Sequence, residues 1–154
     1  MTDLKPIPVI LLADDDADDR LLVKDALRDG AFAGQIHSVE DGEELMDYLE
    51  HRGKFSDARL HPLPSLILLD LNMPRKSGRE ALREIKSDTR LRHIPVIVFT
   101  TSRADSDIAA TYDLGANSFV TKPTAYQALV SVMETLQKYW LDLVQLPKPE
   151  LRNR

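Results

Sequence analysis

The chain has no cysteine, so it forms no disulfide and carries no thiolate chemistry. That suits a reducing cytosol. No apolar run approaches the roughly 20 residues that a membrane-spanning helix needs. The N-terminal stretch MTDLKPIPVI is acidic early and reaches β-branched residues at once, unlike a secretory leader. Long blocks of like charge are missing too, and the net charge is −5, a surface that would not gather phosphate backbones by releasing counterions. There is no internal repeat and no low-complexity tract. These absences predict one cytoplasmic domain with neither membrane nor nucleic acid as partner. What is present agrees: 154 residues, 43% hydrophobic and 29% charged, suffice for an α/β core and argue against global disorder.

Short runs of branched aliphatic residues recur along the chain. They are Pro8-Val9-Ile10-Leu11-Leu12-Ala13, a weaker Gln35-Ile36-His37-Ser38-Val39, Ser65-Leu66-Ile67-Leu68-Leu69, Ile94-Pro95-Val96-Ile97-Val98-Phe99 and Asn117-Ser118-Phe119-Val120. The first, third and fourth are almost continuously apolar, as strands covered on both faces of a parallel sheet are. Helical spacing separates them. Asp16 is placed to cap a helix carrying Leu21, Leu22, Val23, Ala26 and Leu27, with Gly30 ending it. Further helices are predicted over 41–50, 78–86 and 105–114, the last carrying Ile108, Ala109 and Tyr112. A long one of about 23 residues, spanning ~35 Å, is predicted over 124–146. Residues 51–64, with Gly53, Pro62 and Pro64, read as an exposed loop. Alternation of strand and helix predicts right-handed βαβ units and a doubly wound parallel α/β sheet.

In such sheets ligands bind beyond the carboxyl ends of the strands. Here the first strand runs into Asp14-Asp15-Asp16 and the third into Asp70-Leu71-Asn72-Met73-Pro74. The fourth runs into Thr100-Thr101-Ser102 and the fifth into Thr121-Lys122-Pro123. Taken singly, each has a plainer reading: three aspartates as a solvated turn and cap, Asp70 as a turn former, the threonines as strand ends, Lys122 as a loop residue. Together, each directly after a predicted strand, they gather carboxylates, hydroxyls and one ammonium at a single edge. His37, His51, His61 and His93 lack metal-ligand spacing and read as surface or packing residues.

The segments ILLADDD, LILLDLNMP, VIVFTTS and TKP resemble, in order, the four signatures of response-regulator receiver domains of two-component signalling. DLNMPRKSGREAL, the loop before the third strand and the tail QKYWLDLVQLP resemble more narrowly the single-domain regulators that partner bacterial and cyanobacterial phytochrome kinases. The resemblance implies a flavodoxin-like (βα)5 sheet of order 2-1-3-4-5. It implies a receiver domain over 1–146, its core about 7–130, followed by a tail over 147–154. It implies a sensor histidine kinase, of phytochrome type, as the phosphoryl donor. Asp70 would be the phosphoacceptor. Mg2+ would be bound by Asp15, Asp70 and the backbone carbonyl of Asn72, with Asp14 acting through water. Lys122 and Thr100 would contact the phosphoryl group, and the Lys122–Pro123 bond would be cis. Thr100 and Phe119 would form the switch, Phe119 standing where tyrosine is commoner.

The chemistry fits that resemblance, since a carboxylate attacking a phosphoryl group needs its own negative charge and that of the phosphoryl oxygens neutralised. Three alternatives remain in view. A haloacid-dehalogenase-like phosphatase would want a second aspartate where Asn72 stands, and an amide cannot shuttle a proton. A flavodoxin-type cofactor binder would want a Ser/Thr/Gly-rich loop where three aspartates lie. A degenerate docking receiver would not need Asp14, Asp15, Asp70, Thr100 and Lys122 together. The expected role is therefore a phosphoacceptor module rather than an enzyme acting on a separate substrate. Too few residues follow the last helix for a DNA-binding domain, so output is expected through protein–protein contact or phosphorelay. Apolar residues at Tyr139, Trp140, Leu143 and Val144 continue one helix face, and they suggest an isologous homodimer.

Overall fold

The computed structural model describes residues 6–147, so the extreme N-terminal residues and the tail beyond Pro147 lie outside the described residues. Five strands, β1 (Val9–Ala13), β2 (Gln35–Val39), β3 (Leu66–Leu69), β4 (Val96–Thr100) and β5 (Ser118–Thr121), form one sheet. Every neighbouring pair is parallel and the order is β2-β1-β3-β4-β5, as expected. Five helices alternate with them: α1 (Ala17–Asp29), α2 (Gly42–Leu49), α3 (Gly78–Ser87), α4 (Asp105–Asp113) and α5 (Tyr126–Gln137).

Strand periodicity divides the core into two layers. Leu11, Ile67, Leu69, Val96 and Val98 point to the face covered by α2 and α3. Ile10, Leu12, Leu66, Leu68, Ile97 and Phe99 point to the face covered by α1 and α5. Both faces of β1, β3 and β4 are therefore dry, which explains their unbroken apolar runs. Helix starts follow from capping. Asp16 accepts from the amides of Asp18 and Asp19, Asp41 accepts from Glu44, and Ser77 forms a reciprocal capping box with Glu80.

Three expectations need correction. The C-terminal helix is shorter than 124–146: α winding covers Tyr126–Gln137, then six residues, Lys138–Leu143, adopt wider π turns. The amide of Val144 closes it on the Tyr139 carbonyl at 3.0 Å, and Val144 itself is extended. Trp140 and Leu141 pack back on the α1–α5 layer, while Tyr139 and Leu143 are exposed. On α4, Ile108 is half-buried and Thr111 fully so, with Ala109 and Tyr112 outside. The Thr111 hydroxyl bonds the carbonyls of Asp107 and Ile108 in its own helix, so it enters the core with no unmet polar group. On α1 the buried stripe is Val23, Ala26 and Leu27, and Leu21 and Leu22 face outward.

The 51–64 segment is a largely exposed loop, as expected, and it is anchored at Phe55. It holds a short 3-10 turn at Gly53–Phe55, and Phe55 is buried with its ring centroid 5.3 Å from that of Tyr48. The Tyr48 hydroxyl donates to the Pro62 carbonyl at 2.8 Å. His37 and His61 pack around these rings, in keeping with a packing role.

Candidate functional site

The strand order reverses between β1 and β3, and the site lies at the carboxyl edge of that junction. Backbone bonding continues one residue past the strands: the Asp14 amide donates to Val39 and the Asp70 amide to Ala13, at 3.1 and 3.0 Å. Asp14 and Asp70 thereby emerge side by side. Gly78, at the start of α3, is pressed against the Asp70 carbonyl where a Cβ would collide. Only glycine lets α3 come this close, and its amide bonds the Leu71 carbonyl at 3.0 Å.

Asp14, Asp15 and Asp70 each offer a carboxylate oxygen within 4.8 Å of the others. They differ in burial. Asp14 is 1% exposed, Asp70 is half-buried and Asp15 faces solvent. Hard oxygen donors converging at the rim of a pocket, with room for water on the Asp15 side, suit a small divalent cation such as Mg2+. Lys122, which follows β5, turns its ammonium into this cluster. Nζ lies 2.7 Å from Asp14, 3.2 Å from Asp19 and 3.4 Å from Asp70. Burial alone would lower the Lys122 ammonium, but the hydrogen bond to Asp14 and the charges of Asp70 and Asp14 outweigh it and hold it above its ordinary value. Burial lifts the Asp14 carboxyl above the usual carboxylate range, against the pull of Lys122 and the Asp16 amide. One ammonium shared among three carboxylates leaves the pocket short of positive charge.

Thr100 ends β4 and is fully buried, and its hydroxyl oxygen has no hydrogen-bond partner among the described residues. Such an orphan hydroxyl is costly unless something arrives to meet it. The β3–β4 register, Leu69 opposite Val98, carries Asp70 and Thr100 to the same edge. Phe119 stands opposite Val98 in β5 and is partly buried against the α2–α3 layer. The Asn72 amide reaches Asp70 Oδ1 only at 3.5 Å, a weak contact. The β4–α4 loop is tied down next to the pocket. The Ser102 hydroxyl donates to Asp107 at 2.6 Å, Arg79 pairs with the same carboxylate at 2.7 Å, and the Thr121 hydroxyl donates to the Ser102 carbonyl. The Ser102 hydroxyl and Arg79 hold the Asp107 carboxyl below its ordinary value.

The structure brings Asp14, Asp15, Asp70 and Lys122 together and sets Thr100 on the same edge. One detail differs from expectation: among the described residues every peptide bond is trans, Lys122–Pro123 included. The two isomers of such a bond differ by only about 0.5–1 kcal/mol in favour of trans. Two neighbours were missed by sequence reasoning. Asp19 contacts Lys122, and Arg20 donates to the Asp14 carbonyl at 2.7 Å while pairing with Glu40. Their signal was the Asp16 cap: a helix starting immediately after the strand puts its first turn over the pocket.

A parallel five-stranded sheet with converging carboxylates and a lysine at its switch point is the architecture of a phosphoacceptor signalling module. The chain belongs to the response regulator receiver domain family, whose model matches residues 10–134. It is 38% identical over 142 residues to response regulator Rcp1 of Synechocystis sp., covering 92% of this chain and 95% of that one. The crystal structure of the phosphorylated cyanobacterial phytochrome response regulator RcpA superposes with a TM-score of 0.85 at 38% identity, covering 93% of this chain and all of that one (100%). The Mn(2+)-bound form of response regulator Rcp1 gives 0.81 at 38% identity, covering 92% and 99%. The family makes this chain a receiver module rather than a classical enzyme, and it implies a histidine kinase partner. The acidic triad is typical of such receivers.

Proposed function

We propose that this chain accepts a phosphoryl group on Asp70 from a phytochrome-type histidine kinase in a Mg2+-dependent reaction, and signals by protein–protein contact. The observation that carries the proposal is the meeting of Asp14, Asp15 and Asp70 with the Lys122 ammonium. An Asp70 carboxylate oxygen attacks phosphorus in line. The bond from phosphorus to the donor imidazole nitrogen breaks with its electron pair leaving on nitrogen, and an acyl phosphate remains on Asp70. Lys122 pairs with one phosphoryl oxygen and the orphan Thr100 hydroxyl donates to another. Asp15, Asp70 and the Asn72 carbonyl would hold Mg2+, with Asp14 acting through water, and the bound ion would supply charge that lets two anions meet. Once Thr100 is drawn to the phosphoryl group, Phe119 on the same face repacks, so the α4–β5–α5 surface changes.

The receiver domain is assigned to 1–146 and the tail to 147–154. A cytoplasmic location accords with the lack of cysteine, and among the described residues no helix is long and apolar enough to cross a membrane. Exposed Tyr139 and Leu143, backed by partly buried Trp140 and Val144, support an isologous homodimer. Incubation with acetyl phosphate and Mg2+ should add one phosphoryl group by intact mass, and Asp70→Asn or removal of Mg2+ should abolish the gain. Uptake that survives Asp70→Asn would contradict the proposal. Profiling transfer from purified histidine kinases tests the partner, with a phytochrome kinase expected to transfer fastest. Sedimentation of Leu143→Asp beside the parent tests the dimer, which a monomeric parent would rule out.

A further inference from the structure

Three carboxylates surround the Lys122 ammonium, yet only two of them belong to the group able to hold a metal. Asp14 and Asp70 are members of that group; Asp19, 3.2 Å from Nζ, is not. A dication and the ammonium therefore contend for the negative charge of the same two carboxylates, Asp14 and Asp70. Like charges repel, and more strongly beside a buried carboxylate such as Asp14, so one cation yields ground to the other. Lys122 has little freedom to retreat into solvent, since its side chain is 11% exposed and its ammonium sits 5.9 Å from the Phe99 ring centroid. Asp19 offers the nearest remaining anion. Its backbone amide donates to the Asp16 side chain at 3.2 Å, which fixes its height over the pocket. Its carboxylate is committed to nothing else: among the described residues Lys122 is the one cation within ion-pair distance of it. The adjacent Arg20 is turned away to the Asp14 carbonyl and Glu40. With its side chain 41% exposed, Asp19 can hold an ammonium at the rim without a large desolvation cost.

We propose that Asp19 is a positioning residue for Lys122, keeping the ammonium at the rim while a divalent cation is held at Asp15 and Asp70 with Asp14 acting through water, and releasing it to the phosphoryl oxygens on their arrival. This rests on reading the pocket as a Mg2+-dependent phosphoacceptor site. Asp19 touches neither the ion nor the phosphoryl group and acts only through Lys122. By giving the displaced ammonium a second anion, it eases the exchange of one cation for the other.

Titration calorimetry with Mg2+ on the full chain tests this, using the parent, Asp19→Asn, Lys122→Gln and the double variant. Asp18→Asn is the charge-matched control, because Asp18 is exposed on the same helical turn and contacts Lys122 nowhere among the described residues. Asp19→Asn should weaken Mg2+ binding by about fivefold more than Asp18→Asn does, and Asp19→Glu should restore most of it. In the Lys122→Gln background, which should bind Mg2+ more tightly than the parent, that excess should vanish to within about twofold. Equal losses in Asp19→Asn and Asp18→Asn, or an excess that persists without the lysine, would overturn the role given to Asp19 and leave the phosphoacceptor reading intact. A parent chain that binds no Mg2+ at millimolar concentration would overturn both.

Discussion

Two partly buried lysines stand at opposite edges of one sheet, and their surroundings drive them in opposite directions. At the carboxyl edge Lys122 meets Asp14, Asp70 and Asp19, and its ammonium is held above the ordinary value. Near the amino edge Lys86, on α3, has no carboxylate in reach among the described residues. Its ammonium donates to the carbonyls of Arg92 and Ile94 at 3.0 and 2.8 Å, and burial lowers its pKa to about 8. Neutral carbonyls return less for a desolvated charge than carboxylates do. The same contrast runs through the two edges. The carboxyl edge keeps charge unbalanced and a threonine hydroxyl unmet, while near the amino edge Trp140 and Leu141 pack on the α1–α5 layer and line a groove with Pro8, Leu63 and Pro95. One edge is kept poised for an incoming group; the other stabilises the fold.

The sharpest way to break this comparison is to exchange losses between the edges. Asp70→Asn should abolish phosphoryl uptake while leaving stability to urea equal to or above that of the parent, because it removes one of several crowded negative charges. Next in size, Trp140→Ala should cost about 2 kcal/mol of unfolding free energy, less than a fully buried tryptophan, with uptake per folded molecule unchanged. If Asp70→Asn unfolded the chain, or Trp140→Ala blocked uptake, the division of labour would fail.

A smaller effect separates the lysines themselves. Below about pH 8 folded and unfolded chains both hold the Lys86 proton. Between about pH 8 and 10.5 the unfolded chain holds more protons at this site, so stability at this site rises with pH. Urea titrations across that window should show the parent gaining on Lys86→Met as pH rises; parallel curves would remove the contrast. Smallest of all, Tyr112→Phe should cost about 0.5–1 kcal/mol. It deletes the hydroxyl that accepts from the Phe119 amide at 3.2 Å on the free edge of β5. Amide exchange at Phe119 should quicken with it, and an unchanged rate would show that the contact gives no protection.

Much of this arrangement was legible because it depends on backbone periodicity. Leu66-Ile67-Leu68-Leu69, apolar throughout, read as a strand dry on both faces, and Asp70 directly after it falls at the carboxyl edge. Asp16 and Asp41 announced their helices by capping chemistry. What stayed hidden was direction within an element. Hydrophobicity favoured Tyr112 over Thr111 for the inner face of α4, but a threonine that bonds its own helix is buried at little cost, and tyrosine found work on the strand edge. Trp140 continued an apolar face that looked free for a partner. It continues the inward face of Leu129, Met133 and Leu136 instead, and with Leu141 it packs on its own core where the helix passes into π turns. Asp19 was hidden for another reason: its role exists only once the lysine from β5, more than a hundred residues away, closes over the first turn of α1.

The central claim is that Asp70 takes the phosphoryl group because Asp14, Asp15 and Lys122 meet around it. Borohydride reduction after treatment with acetyl phosphate and Mg2+, followed by peptide mapping, tests it most directly, since reduction turns a phosphorylated aspartate into homoserine. Homoserine at position 70 alone is the predicted result. Homoserine at 14, 15 or 19, or none at any position, would contradict it.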